Sequence, residues 1–326
     1  MLSKKTIGFL LKIGIVAFAL FFLHKQFNNL SSEEQFNSDV ILQQIKQGYG
    51  VLVVVVIMMF LNWFLEALKW RFLISKIEQI SIKRSIRAIF SGITVSAFTP
   101  NRVGEYGGRV FCLEKADRGQ AVLITIIGSM AQLVTTIVFG CIGLLFLPKY
   151  SSEFSRMVNA IEFGYPILVF LLVLLSVLIV FLFLNVSLFS TILSKSKFLS
   201  KYEKYNGVFS FYTSAELAKV LLYSVARYAV FTTQFFILLQ LFEVDIAYVD
   251  AIVLITIMLF VVSIIPNFPI FEIAQRGPVA IFLFTLASPG QTIEIFSATF
   301  VMWSINLFLP ALIGTVFIFT LRFFRK

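Results

Sequence analysis

Long apolar runs separated by short polar stretches dominate the chain. Six of them, about 6–25, 48–72, 120–147, 163–185, 219–241 and 291–321, each hold close to the ~20 apolar residues that a ~30 Å hydrocarbon core requires, and predict spanning helices. Two further apolar regions, about 82–114 and 248–287, are broken in the middle by Pro, Asn and Gly. Their arms run to roughly 15–17 residues, about 22–26 Å at 1.5 Å per residue, which is short for a span. A helical hairpin that enters and leaves on one side fits each region better. The pattern predicts an all-α polytopic membrane protein, with about six transmembrane helices plus two re-entrant helical hairpins in a single transmembrane domain over residues 1–326.

Composition agrees. Hydrophobic residues make up 59% of the 326 and charged ones only 13%, where a soluble domain carries roughly a quarter charged. No polar stretch is long enough for a separate soluble domain. The net charge of +10 comes without a nucleic-acid-binding signature, so a nucleic-acid partner is not expected. With the N-terminus in the cytoplasm, and the hairpins returning to the side they entered, eighteen Lys and Arg fall on cytoplasmic segments and four on external ones. That asymmetry obeys the positive-inside rule and places both termini at the cytoplasmic face of an inner membrane. The basic, apolar start lacks a small-residue cleavage site and reads as a retained first helix, the alternative being a signal peptide.

The two broken regions resemble each other. "TPNRVGEYGGRV" and "IPNFPIFEIAQRG" each carry Pro-Asn, then Glu, then Arg four residues after the Glu. The pairs are Pro100 with Pro266, Asn101 with Asn267, Glu105 with Glu272, and Arg109 with Arg276. On the topology above, each half (about 48–147 and 219–321) runs span, hairpin, span, in opposite orientations. This is an inverted-topology repeat, in which interrupted segments at matching positions point to a binding site near the midplane.

Pro100 removes a backbone donor and turns Thr99 away from helical geometry, while Gly104, Gly107 and Gly108 permit tight turning and close backbone approach. A helix should therefore stop near Phe98 and another begin near Val103, its free N–H groups suiting an anion. Glu105 and Arg109 share a helical face at i, i+4, as do Glu272 and Arg276. Arg227 is a lone arginine inside the fifth span and needs a partner. An ionised side chain at the bilayer centre costs about 2.5–3.5 kcal/mol or more, so these groups must pair, line a wet cavity or meet a charged ligand. Arg102, Arg109, Arg227 and Arg276 set against Glu105 and Glu272 leave a positive surplus that a phosphate group would neutralise, arginine being suited to bidentate phosphate contacts. Glu66 reads as lying near Lys69 and Arg71 at the cytoplasmic interface, with pairing to one arginine as the alternative. The plainer reading of both Glu–Arg pairs is that they pin the hairpin tips together.

"FTPNRVGEYGGR" resembles the first signature of the lysylphosphatidylglycerol synthase transmembrane region, also called the flippase-like domain family. Its motif runs Thr-Pro, a basic residue, Gly-Glu and a following Arg. "IIPNFPIFEIAQRG" is similar to the second motif, with "NFPIF" where many members carry a Gly-rich run. The resemblance covers about 40–320. It marks Pro100, Arg102, Gly104, Glu105 and Arg109, together with Pro266, Glu272 and Arg276, as motif residues. It implies lipid translocation across the inner membrane, in some members of aminoacylated phosphatidylglycerol. Those members add a soluble synthase domain, which is not expected in this chain.

Together these readings predict a transporter of an anionic phospholipid or polyprenyl-phosphate lipid. The phosphate-bearing headgroup would be bound by Arg102, Arg109, Arg276 and Arg227, with Asn101 and Asn267 beside them. Glu105 and Glu272 would hold the arginines and exchange a proton or take an amino group. Two alternatives remain: a scaffold or accessory subunit of a lipid-modifying system, and an intramembrane lipid-modifying enzyme using the glutamates as acid and base. No Cys–His pair, HExxH or Gly-rich phosphate loop is present, so no catalytic residue, metal or cofactor is expected. A homo-oligomer or a partner enzyme is compatible with the sequence. Cys112 and Cys141 read as packing residues, and His24 as an interfacial loop residue. A short interfacial helix is expected after a capping box at Ser32 to Gln35. The Lys-rich segment 187–207 either lies on the anionic inner surface or is a solvated linker.

Overall fold

The computed structural model describes residues 7, 9–17, 20–21, 38–188, 205, 207–265, 272–319 and 321. Among them are twelve α-helices and no strand. In chain order they are α1 (Ser38–Gln47), α2 (Tyr49–Ile74), α3 (Ile82–Ser96), α4 (Gly104–Val110), α5 (Arg118–Phe146), α6 (Ser152–Asn159), α7 (Gly164–Leu184), α8 (Ser214–Leu241), α9 (Tyr248–Ile264), α10 (Glu272–Phe284), α11 (Thr292–Trp303) and α12 (Leu309–Ile318). A π-helical turn, Ser304–Phe308, joins the last two. Pro310 follows it and lacks the N–H that the Asn306 carbonyl would otherwise receive, a local cause for the wider turn.

Helix starts are set by side-chain caps. Ser81 accepts the Arg84 N–H at 3.3 Å, and Asp117 accepts the Gln120 N–H at 3.0 Å. Thr213 and Glu216 form a reciprocal capping box at α8.

α2, α5 with its short extension to Lys149, α7, α8 and the α11–α12 rod are long and apolar enough to cross a bilayer. The chain is a multi-pass membrane protein. The first expected span is described only in pieces, of which residues 9–17 are helical. α7 shows apolar side chains nearly all round, with Phe170, Leu171, Val177 and Phe181 exposed, as suits a peripheral helix facing lipid. α1 is a short helix leading into the second expected span, with Ile41 buried. The capping box before it, His24, and residues 189–204 and 206 lie outside the described residues. Cys112 and Cys141 are free thiols, and Cys141 is buried in the packing.

The helices of the broken regions are shorter than spans. α3 has 15 residues and α9 has 17, but α4 has only seven and α10 thirteen, so the expectation of 15–17 residues in every arm fails. A long-range contact holds the chain just past α4. Glu78, between α2 and α3, accepts backbone N–H groups of Glu114, Lys115 and Ala116 at 2.8–3.2 Å and the Arg84 guanidinium at 3.1 Å. Burial pushes the Glu78 carboxyl up, but these three N–H groups and Arg84 outweigh it and hold the pKa below its ordinary value. The second broken region is tied in the same way by neutral groups. Gln291 bonds the Asp245 N–H and the Glu243 carbonyl at 2.9 and 2.8 Å, and Ser288 donates to the Asp245 carbonyl at 2.7 Å. In each region the strand of chain before the helix pair meets the strand after it.

Helix pairing crosses between the halves. α2 lies antiparallel to α8, with Lys76 bonded to Glu216 at one end and Gly48 against Leu241 at the other. α3 packs antiparallel on α12, and α9 antiparallel on α5. In both of the latter, a glycine of the spanning element (the α11–α12 rod or α5) meets a threonine of the broken-region helix, Gly314 against Thr94 and Gly143 against Thr256. One hydrophobic core runs through both halves, from Val55 and Trp70 to Phe296 and Ala311.

Candidate functional site

The break after α3 is built as the Pro and Gly content demands. α3 ends at Ser96 and α4 starts at Gly104, within two residues of expectation. Pro100–Arg102 form a single 3-10 turn in which Asn101 (φ 48°) and Arg102 (φ 57°) are left-handed. Asn tolerates this region; for Arg it costs on the order of 1 kcal/mol. A Cβ at Gly108 would stand 2.6 Å from the Gly92 Cα and 2.8 Å from the Ser91 carbonyl, so the backbones of α3 and α4 touch. Gly104 is equally confined by Val95 and Thr99. Gly107 is not, its nearest neighbour being the Phe111 ring at 3.8 Å; that glycine is not required by packing. Two of the first N–H groups of α4 are already taken within the break. The Gly104 N–H goes to Thr99 Oγ1 at 2.8 Å and the Tyr106 N–H to the Val103 carbonyl at 3.2 Å.

Behind the break lies a buried charge cluster with Glu66 at its centre. Its carboxylate meets Arg109 at 2.8 Å, Lys69 at 2.8 Å, and Arg227. Arg109 also pairs with Glu105, the expected i, i+4 partner. Lys69, 1% exposed, bonds the Gly128 carbonyl at 3.1 Å and Ser224 at 3.3 Å. Arg227 donates Nε to Asn62 Oδ1 at 2.9 Å and stands 5.2 Å from the Trp63 ring centre. The cluster therefore joins α2, α4, α5 and α8. Glu66 does lie beside Lys69, as expected, and the alternative of pairing with an arginine is met by two of them; both residues are buried within α2, so Lys69 is not a loop charge. Burial of such a group is tolerable only because each charge has partners.

Beside this cluster is a cavity of about 170 Å³. Arg102 reaches it from the first break, Arg227 from α8 and Arg276 from α10. Asn62 and Trp63 of α2, Gln132 and Thr136 of α5, and Tyr228 of α8 line further parts, and Trp303 and Asn306 line it at the π turn. The arginine set thus divides. Arg109 is 3% exposed, held between two carboxylates and absent from the lining, so its expected place at the headgroup is not where the fold puts it. Asn101 is exposed and also off the lining. Glu105 faces Arg109 rather than the cavity. Pro266, Asn267 and the side chain of Glu272 lie outside the described residues.

The positive surplus survives recounting. The sequence count was four cations against two anions; adding Lys69 and Glu66 gives five against three, a surplus of two both times. Sequence reasoning missed Trp63, Gln132, Tyr228, Trp303 and Asn306. Their one available signal was polar or amphipathic side chains inside apolar runs.

The profile of a family described as "Lysylphosphatidylglycerol synthase TM region" matches residues 9–314. No curated protein and no solved structure matches the chain.

Proposed function

From the premise that the chain belongs to the lysylphosphatidylglycerol synthase TM region family, we propose that it is a lipid translocator of the inner membrane. It carries a phosphate-bearing lipid, an anionic phospholipid or a polyprenyl phosphate, through the cavity shared by Arg102, Arg227 and Arg276. The observation that carries this reading is that three guanidiniums from three separate elements, drawn from both halves, border one cavity. Guanidinium forks suit phosphate oxygens, and a low-dielectric site strengthens the contact. The acyl or prenyl tails stay in lipid. Arg109 has a different part: with Glu66 and Glu105 it holds α4 against α2 and so positions the break that carries Arg102.

The two broken regions act as re-entrant hairpins of an inverted repeat. Support comes from the tied ends at Glu78 and at Gln291, from the antiparallel α2–α8 pair, and from the matching Gly–Thr contacts of α3–α12 and α5–α9. Rocking of one repeat against the other gives alternating access. Both termini lie on the cytoplasmic side, a placement supported by the bond from Lys12 to the Phe319 carbonyl at 2.8 Å. The partner is a lipid headgroup; a homo-oligomer or an associated lipid-modifying enzyme is compatible with this.

The test is translocation of a fluorescent phosphatidylglycerol in proteoliposomes. The wild type moves it, and Arg102→Ala with Arg276→Ala loses at least about tenfold of the rate, equal to ~1.4 kcal/mol, while remaining folded. Equal rates for wild type, double variant and empty liposomes contradict the reading. A second reading, a scaffold or accessory subunit, is favoured by the sealed Glu66–Arg109–Glu105 group, which pins elements without meeting the cavity. It predicts co-purification of a stoichiometric partner that is retained by the double variant.

A further inference from the structure

The charges of the Glu66 cluster do not balance. Among the described residues it holds three cations, Lys69, Arg109 and Arg227, and two anions, Glu66 and Glu105. These are the charged groups around Lys69 from every side: Glu66 from its own helix α2, Arg109 and behind it Glu105 from α4, and Arg227 from α8, while α5 offers the Gly128 carbonyl. One positive charge in the bundle interior is therefore left over. Loss of a proton removes it, whereas gain of a proton by either glutamate would double it. An arginine keeps its proton in a protein, so Lys69 is the one cation of the three that can release one.

The surroundings of Lys69 suit both of its forms. The residue is 1% exposed, and its Nζ meets Glu66 Oε2 at 2.8 Å, the Gly128 carbonyl at 3.1 Å and Ser224 Oγ at 3.3 Å. An ammonium donates to all three. A neutral amine donates to two and needs a donor for its lone pair, which a hydroxyl supplies because it donates as well as accepts. Ser224, itself fully buried, is that hydroxyl. Neither form leaves a buried polar group unmet, the situation that folding avoids.

The link to the cavity runs through one oxygen. Glu66 Oε2 takes both Lys69 and Arg227, while Oε1 takes Arg109. Arg109 is sealed away from the cavity, but Arg227 borders it. An anion in the cavity competes with Glu66 for Arg227. As Arg227 turns toward the anion, Oε2 is left to Lys69 and the ammonium form is favoured. As the anion leaves, Arg227 returns to Oε2 and the second cation on that oxygen is no longer needed. By linkage the effect is mutual: a proton on Lys69 frees Arg227 for the anion.

We propose that Lys69 is a proton-binding site coupled to the cavity through Glu66 and Arg227, so that one proton is taken up with each anion and moves with it. This rests on the reading that the cavity binds a phosphate-bearing lipid, and it adds what drives the movement. On release the Nζ–H bond breaks and its electron pair stays on Nζ. The proton passes to Glu66 Oε2 and on to water in the cavity, leaving Glu66 ionised as before. A phosphodiester with one negative charge then crosses with no net charge.

The experiment is calorimetric titration of the full chain, purified in detergent, with dihexanoyl phosphatidylglycerol, whose phosphodiester stays ionised throughout. Titrations from about pH 7 to about pH 10, in buffers of different ionisation heat, count the protons taken up. The wild type should take up a fraction of a proton that approaches one within this range, and bind more weakly as pH rises, by up to about tenfold per unit. Lys69→Met fixes the uncharged state and Lys69→Arg a permanent cation. Neither should take up a proton, and whichever is monodisperse serves. A second measurement needs no variant. In wild-type proteoliposomes a gradient of one pH unit should gather fluorescent phosphatidylglycerol on the alkaline side, about tenfold at equilibrium, far faster than in empty liposomes. Binding without proton uptake, uptake that persists in a monodisperse Lys69 variant, or lipid that moves yet stays evenly distributed overturns the proton site and leaves the phosphate reading standing. Failure of phosphatidylglycerol to bind a monodisperse wild type overturns both.

Discussion

Arg109 and Arg276 stand at matching places in the two broken regions, each four residues after a glutamate, yet the fold treats them differently. Arg109 is sealed between Glu66 and Glu105. Arg276 is half-buried and borders the cavity. The difference arises in the neighbouring long helices. α2 presents the acidic Glu66 to α4, whereas α8 presents Arg227 to α2. In the first broken region Arg109 fixes the break between two carboxylates, and in the second Arg276 borders the cavity. A charge surplus read from sequence does not say which cations are available to a ligand; the position of the anions does.

The largest effect should come from breaking the sealed side. Glu66→Ala leaves Lys69, Arg109 and Arg227 buried without their shared anion and should cost about 3–5 kcal/mol, seen as loss of monodisperse protein or a large fall in Tm in detergent. Arg276→Ala, on the open side, should change Tm little. Equal Tm losses for the two would erase the distinction between them.

The next effect concerns how the helix pairs are closed. The first pair is closed by the charged Glu78 and the second by the neutral Gln291. The folded pKa of Glu78 is lowered, so its contribution is fully present above its unfolded value, about 4.3, and is lost as pH falls through the folded value. Glu78→Gln should cost roughly 1.5–3 kcal/mol at neutral pH and flatten the dependence of Tm on pH in the acid range. Gln291→Ala should leave that acid dependence in place. The smallest effect belongs to the rim. Lys76 and Glu216 pair at 2.6 Å but stay about a third exposed, and Lys76→Ala should cost less than about 1 kcal/mol by the same thermal measurement.

Much of the fold was legible because spans announce themselves by length and apolarity, and the break by Pro100 and its glycines. α2, α5, α7, α8 and α11–α12 fall within a few residues of their expected ranges. The short α4 was not legible, and the Glu78 contact that holds the chain just past it joins residues 36–38 positions apart. The central place of Glu66 was not legible, because it stands three residues before Lys69 near the end of an apolar run, a pattern that also marks a membrane boundary. Lys69 is buried because Gly128 and Ser224, on two other helices, satisfy it. Local sequence carries no trace of that. The same holds for the cavity lining. Trp63, Tyr228, Trp303 and Asn306 look like ordinary members of apolar helices until the bundle brings them together.

The central claim is that Arg102 and Arg276, from opposite halves, hold one phosphate together. A double-mutant cycle on the binding of dihexanoyl phosphatidic acid tests this directly, using Arg102→Ala, Arg276→Ala and the double variant. The account predicts a coupling energy of at least about 1 kcal/mol, the double variant binding little worse than the weaker single one. Losses that add to within about 0.5 kcal/mol would show two independent sites and contradict it.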